Sequence, residues 1–413
     1  MVFDWLMLQH RKMSSLALTK PRADFVIVQR WYRLAKLLGF TPISTENSER
    51  KLWNYWAIVY PVLLLIIYLG GTIFSFYERF RIYESFNLSQ TILDILQGIV
   101  ESVFIEHAVI WSLLNKKHWN KMMRSIEQLE QKLHWTCTTE VTDYSTAGLR
   151  LRIFFYHAVY AAVHIYDSIV NWMFLSYSLA FIIFRFTTYY IMFTTLFIDF
   201  VCTWARNRYL YMHNYLRVYG TARNIKFSIV QKEHVLSKLA EFSNCYKHLF
   251  LIVEEINTIF GTYFFFVAIC TVLEVLNAVN YGMPSKNQDI DQAVTGVNVL
   301  FLALYIICNV QIVMACNSVL KCAKSIQKTC LILHEQMENR ELREEFLRLS
   351  YYVQGRFSGE QFKCRIIKPF FPGLYPEFSA AGFWSVNQSI LSTLFSSVMT
   401  YLIIIIQFNM TLK

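Results

Sequence analysis

Apolar residues along this chain gather into blocks of about 20, the length that carries a helix across a hydrocarbon core. Seven such blocks stand out, at 53–76, 92–114, 152–172, 179–205, 250–277, 297–320 and 383–408. The third and fourth need a cut. Between residues 153 and 205 the only charges are Asp167, Arg185 and Asp199. That stretch is too long for one span at about 1.5 Å per residue, and a turn near Ser176 to Ser178 divides it. The connections alternate. Those on one side are short, while those on the other are long and helical in pattern. Residues 227–250 carry apolar positions at helical spacing and run into the fifth block. Residues 321–352 do the same below the sixth, with Glu341, Arg343, Glu344, Glu345 and Arg348 on the polar face. At 355–376 the glycines and prolines (Gly355, Gly359, Pro369, Pro372, Gly373 and Pro376) break the pattern and predict a loop.

Charge sets the orientation of these blocks. The long connections, counting the amino-terminal segment, carry 9, 6, 8 and 10 Lys and Arg, 33 in all, against 4 on the other side. Basic residues stay on the cytoplasmic side, so the amino terminus is expected inside and the carboxyl terminus outside. The fold class expected is an all-α membrane protein of seven transmembrane helices with cytosolic helix extensions. Its divisions are a cytoplasmic segment 1–52, a six-span bundle 53–382 holding a ligand pocket and anchor helices, and a seventh span with a short extracellular tail, 383–413. The first 40 residues are basic and lack the apolar core of a signal peptide, so the first block is expected to do the targeting. Asn87, in Asn87-Leu88-Ser89, is a glycosylation sequon in the first outside connection. None of the nine cysteines falls in an outside connection, so no external disulfide is expected.

Composition agrees with this pattern and excludes several functions. The chain is 55% hydrophobic and 16% charged, too little charge to cover soluble domains. The net charge of +10 stays at the flanks of apolar blocks, which argues against nucleic acid as a partner. No nucleophile, metalloprotease or phosphate-loop motif is present, and no Cys/His spacing suits a metal. The expectation is therefore no enzyme, no catalytic residue, no metal and no cofactor.

Polar residues inside the blocks carry more information, because each is costly in lipid and faces protein or water. Tyr160, His164, Asp167 and Asn171 recur at helical spacing on the third block. Arg185 and Tyr189 lie on the fourth, with Arg185 placed to pair with Asp167. Asp94 and Glu101 share one side of the second block, and Glu274 sits late in the fifth. Together these nine residues outline a polar, aromatic-edged pocket in the outer half of the bundle. In ordinary packing the same residues would make an ion pair and interhelical hydrogen bonds. The seventh block has Ser389, Thr393, Ser396 or Ser397, Thr400 and Gln407 along one stripe, with Ile404 and Phe408 nearby. The stripe suits a water-lined pore built from several copies of one helix, and it equally suits helix packing by small hydroxyl residues.

Thr400-Tyr401-Leu402-Ile403-Ile404-Ile405-Ile406-Gln407-Phe408 resembles the TYhhhhhQF signature of insect gustatory receptors (h, hydrophobic), and Ser379 to Ser389 resembles the lead-in to the last span of that family. The resemblance implies a ligand-gated, non-selective cation channel that detects tastants, by base rate bitter or deterrent ones. It implies a homo- or hetero-tetramer with related receptors in the plasma membrane of gustatory receptor neurons, in dendrite, axon and cell body. It also implies that the seventh helices line the pore, with Thr400, Tyr401, Ile404, Gln407 and Phe408 at the gate. The partners implied are a small-molecule tastant, cations and membrane lipid. The stretch 355–377 departs from the family, whose helix below the sixth span leads almost directly into the seventh. The alternative, a seven-span G-protein-coupled receptor, needs the opposite orientation, and the charge count opposes it.

Overall fold

The computed structural model describes residues 23–42, 51–80, 88–136, 144–170, 172–173, 182–221, 229–281, 288–354 and 376–390, with single positions up to Gln407 in the last segment. Nine helices are named here: α1 (Ala23–Leu37), α2 (Lys51–Phe80), α3 (Leu88–Leu114), α4 (Lys116–Thr136), α5 (Tyr144–Val170), α6 (Ile182–Thr221), α7 (Ile229–Tyr281), α8 (Gln288–Gln336) and α9 (Arg340–Gln354). Two short strands follow, β1 (Ser379–Ala380) and β2 (Trp384–Ser385). Five helices, α2, α5, α6, α7 and α8, contain stretches long and apolar enough to cross a membrane. α3 falls outside those five. Its 27 residues would reach across, but Asp94, Glu101 and Glu106 interrupt the apolar run.

The helices form one bundle with α6 and α8 in its middle. α6 packs most extensively on α8, and α8 also meets α5, α7 and α9. The span in α6 is almost wholly buried, whereas α2 leaves Ile58, Val62, Ile66, Leu69 and Ile73 exposed along its length. An apolar face of that kind suits lipid. Pro61 lies inside α2. Its missing N–H is tolerated there because neighbouring groups in a bundle can satisfy the freed carbonyl.

Two expectations change in detail. α7 is one helix of 53 residues, as its periodicity predicts. Below the sixth span, however, the expected single helix splits. α8 stops at Gln336, and Asn339 starts α9 by accepting hydrogen bonds from the Glu341 and Leu342 amides at 3.1 and 3.3 Å. Asparagine suits this N-cap because its short side chain reaches back to those otherwise unpaired donors. α9 then folds against α8. The seventh span was expected from residue 383, but Phe383 to Ser385 lie in a hairpin, and the helical residues begin at Gln388. Ala380 pairs with Trp384, and the Phe383 amide donates to the Ala380 carbonyl at 2.9 Å. Ala381 and Gly382 both have positive φ, 52° and 82°. These are the marks of a type I′ turn, in which glycine carries no penalty and alanine does.

The hairpin sits on one face of α7. Asn257 Oδ1 accepts the Ser379 amide at 2.7 Å. One turn on, a Cβ at Gly261 would lie 3.1 Å from the Ser379 carbonyl oxygen. A further turn on, the Phe265 ring stacks on Phe383 at 5.0 Å. Residues four apart share a helix face, so α7 presents a built seat to the segment that begins the last helix.

α1 is pinned by charge and by aromatic packing. Its buried residues Asp24, Phe25, Val28, Trp31, Tyr32 and Ala35 follow helical spacing. Arg208 of α6, 1% exposed, donates from Nη1 and Nη2 to the two Asp24 oxygens at 3.0 Å each, and from Nε to Glu130 of α4. Asn207 also donates to Asp24, and Trp204 to Glu130. Burial pushes the Asp24 carboxyl up, but Arg208 and the hydrogen bonds of Arg208, Asn207 and the Phe25 amide outweigh it and hold the pKa below its ordinary value. After α1 the chain turns at Gly39 (φ 72°) and sends Phe40, fully buried, among Trp119, Tyr190, Phe193, Phe197, Phe260 and Tyr263.

Candidate functional site

Of the nine expected pocket residues, the seven whose side chains are described fall into two groups. The first is built on α3. Asp94, Gln97 and Glu101 are three and four residues apart, so they share one face. Asp94 pairs with Arg79 at the end of α2 at 2.6 Å. Gln97 Nε2 donates to Glu101 at 2.9 Å and to Glu274 of α7 at 2.5 Å, and so stands between two carboxylates. Asn277, one turn beyond Glu274, donates to Gln97 Oε1. Tyr305 of α8 donates to Glu101 at 3.0 Å. Glu101, Glu274 and Asn277 are 2%, 2% and 3% exposed.

The second group is aromatic and lies between α5, α6 and α8. Tyr160 meets His164 at 4.1 Å between ring centroids and Tyr189 at 5.1 Å, and His164 meets Phe301 at 5.3 Å. Asp167, one turn beyond His164, is buried. An open depression of about 510 Å³ on this side is lined by Ala161, His164, Ile165, Ser168, Ile169 and Trp172. The two groups adjoin. Phe301 of the aromatic group and Tyr305 of the carboxylate group are one turn apart on α8, and Thr188, which hydrogen-bonds Tyr305, precedes Tyr189 on α6.

Several expected residues lie outside the described set. Asn171, Asn87, Tyr401, Ile404 and Phe408 do, and of Arg185 only the backbone is described, within α6. The Asp167 to Arg185 pairing therefore stays an expectation. The other charge of that long apolar run, Asp199, is 1% exposed and is met by Arg152 at 2.7 Å. Gln97, Asn277, Tyr305 and Arg79 belong to the carboxylate group without having been singled out in the sequence. For Gln97 and Asn277 the available signal was spacing, since each lies one turn from a buried carboxylate on its own helix. In the last helix, Ser392, Thr393, Ser396, Thr400, Ile403 and Gln407 are helical and exposed.

Known proteins can now be set beside this geometry. Residues 28–354 and 374–412 match the family described as 7tm Chemosensory receptor. The chain belongs to that family. No curated protein matches this chemosensory receptor by sequence. Its fold is similar to the solved structure of the insect olfactory receptor OR5 from Machilis hrabei in complex with eugenol, at 13% identity and a TM-score of 0.53, covering 94% of this chain and all of that one. The same protein solved without that ligand matches at 13% identity and a TM-score of 0.51, with the same coverage. This chemosensory receptor is therefore an all-α, multi-pass membrane protein.

Proposed function

We propose that this chemosensory receptor is a gustatory receptor, a ligand-gated, non-selective cation channel in taste neurons that opens to small-molecule tastants of the bitter or deterrent kind. The observation that carries the reading is the exposed polar stripe of the last helix. Ser392 or Thr393, Ser396, Thr400 and Gln407 recur at helical spacing and are exposed. A hydroxyl- and amide-bearing stripe is a poor surface for lipid and a good one for a water-filled axis shared by several copies. Four seventh helices then line the pore of a homo- or hetero-tetramer, and Tyr401, Ile404 and Phe408 complete its gate. The amino terminus is cytoplasmic, seven helices span the plasma membrane, and the two adjoining polar groups are the outer ligand site. Asn87 is glycosylated. The small-molecule reading draws support from the OR5 structure, a relative in fold that was solved with eugenol.

The test is patch-clamp recording of the full chain, with surface expression measured in parallel. An amino-terminal tag should be hidden and a carboxyl-terminal tag exposed on intact cells. A tastant panel should evoke current carried by both Na⁺ and K⁺. Gln407→Leu should lower the evoked conductance, and Phe408→Ala should leak without ligand. Reversed tag exposure, or unchanged conductance, selectivity and leak in both variants, would overturn the reading.

A further inference from the structure

The carboxylate group around Gln97 has too many acceptors. Arg79 is the cation paired there, and Asp94 takes it at 2.6 Å. That leaves Glu101 and Glu274, both fully buried, facing each other across one amide. Both Gln97 amide hydrogens are spent on them. The other neighbours, Asn277, Tyr305 and Cys270, bring hydrogen bonds or polarity but no positive charge. Two carboxylates away from water cannot both stay ionised without a positive partner.

A second observation is an unmet acceptor on the same cluster. Asn277 Oδ1 is buried and accepts no hydrogen bond from the described residues, although the same carboxamide donates into the cluster through Nδ2. A buried amide oxygen left unmet costs about 1–3 kcal/mol, so an acceptor of this kind marks a place that a donor fills. Hydrogen bonds within the described residues reach Glu101 through Oε1 and Glu274 through Oε2. Three oxygens therefore accept no hydrogen bond from the described residues: Glu101 Oε2, Glu274 Oε1 and Asn277 Oδ1. Two of them are anionic and one is neutral. A primary ammonium offers three N–H donors and one positive charge, which meets both the acceptor count and the missing charge. A divalent cation such as calcium wants six to eight oxygens. The approach is from the Asp94 and Gln97 side, where both side chains keep partial exposure.

We propose that Glu101, Glu274 and Asn277 bind the primary ammonium group of a small molecule. The proposal rests on reading this cluster as part of the outer ligand site. It names the class of ligand, an amine, that this part of the site takes. No covalent step is involved.

The experiment is thermal unfolding of the purified full chain in detergent at pH 7.5, at constant total chloride. Choline, which has no N–H donor, is the background cation and is exchanged for methylammonium, sodium or potassium. In the wild type, methylammonium should raise the unfolding temperature saturably, by about 3 °C at ten times the half-saturating concentration. Sodium and potassium should not. Glu274→Gln and Asn277→Ala should each lose the methylammonium shift. Each variant is compared with itself in choline, so a general change in stability does not enter. An equal shift with sodium, no shift with any cation, or a shift that survives in both variants would each overturn the proposal. The readout needs no current, so failure here leaves the channel reading standing, and failure of the channel reading leaves this result intact.

Discussion

Two buried polar clusters of this receptor use the same residue types to opposite ends. At Arg208 the guanidinium is satisfied on every side. Nε meets Glu130, Nη1 and Nη2 meet Asp24, and Asn207 and Trp204 donate to the same two carboxylates. Around Gln97 the carboxylates meet amides and a phenol, and one amide oxygen is left without a donor. The first arrangement is closed around one guanidinium shared by two carboxylates, and it ties α1, α4 and α6 together. The second is open, with acceptors in surplus between α3, α7 and α8. A closed cluster tolerates no substitution of its centre and gains nothing from an added solute. An open one loses little on neutralisation and responds to what is added.

The largest effect should come from emptying the closed cluster. Arg208→Met leaves Asp24 and Glu130 buried beside an apolar side chain. Breaking a buried pair by removing one partner costs about 3–5 kcal/mol, so the full chain should give little monodisperse protein in fluorescence-detected size exclusion. Neutralising the partners as well, with Asp24→Asn and Glu130→Gln, should recover most of the loss, because the stranded charges are then gone. A stable Arg208→Met single variant would show that the cluster does not pin α1, and the contrast with Gln97 would collapse.

A smaller effect belongs to the turn that follows α1. Gly39→Ala places a side chain at φ 72°, with its Cβ 2.7 Å from Leu64 Cδ1. Leu64 can swing away, so the backbone strain decides, at about 1–2 kcal/mol. The unfolding temperature should drop measurably. Gly382→Ala, at φ 82° with nothing near its Cβ, isolates the strain without the contact. Equal drops would show that the Phe40 seat has room to give. A larger drop at Gly39 would show that it does not.

How much of this was legible beforehand depends on the range of each interaction. Helix positions follow from apolar periodicity; α5 ends at Val170 and α6 begins at Ile182, and the turn expected near Ser176 to Ser178 lies outside the described residues. Asp94, Glu101 and Glu274 were singled out because charge in an apolar run is costly. Gln97 and Asn277 carry no charge and looked like ordinary polar residues, yet they are the groups that join the carboxylates. Arg208 counts in the sequence only as one of the eight basic residues of a long connection, because its partner Asp24 is 184 positions away. Nothing local encodes such a pairing. Arg79 was counted with the outside connection, and the bundle instead buries it against Asp94. The hairpin at Ser379 and Trp384 escaped notice for another reason: two-residue strands have no periodicity to read.

The smallest effect, and the one that most sharpens the contrast, is acid sensitivity of the closed cluster. Asp24 has a folded-state pKa held below its ordinary value by Arg208 and its hydrogen-bond donors, against the opposing effect of burial. A carboxyl with a depressed folded pKa adds stability that is present above its unfolded pKa, about 3.9. That stability is lost as the pH falls through the folded value. The unfolding temperature of the wild type should therefore exceed that of Asp24→Asn by a constant margin from pH 7 to pH 5, and the margin should shrink below about pH 4. Exchanging choline for methylammonium should leave the margin unchanged, because both Asp24 oxygens already accept hydrogen bonds, from Arg208, Asn207 and the Phe25 amide. A margin constant down to pH 3 would mean that Asp24 binds its proton alike in the folded and unfolded chain. Arg208 would then hold α1 by packing against Trp204, whose ring lies 5.4 Å from the guanidinium carbon, rather than by charge.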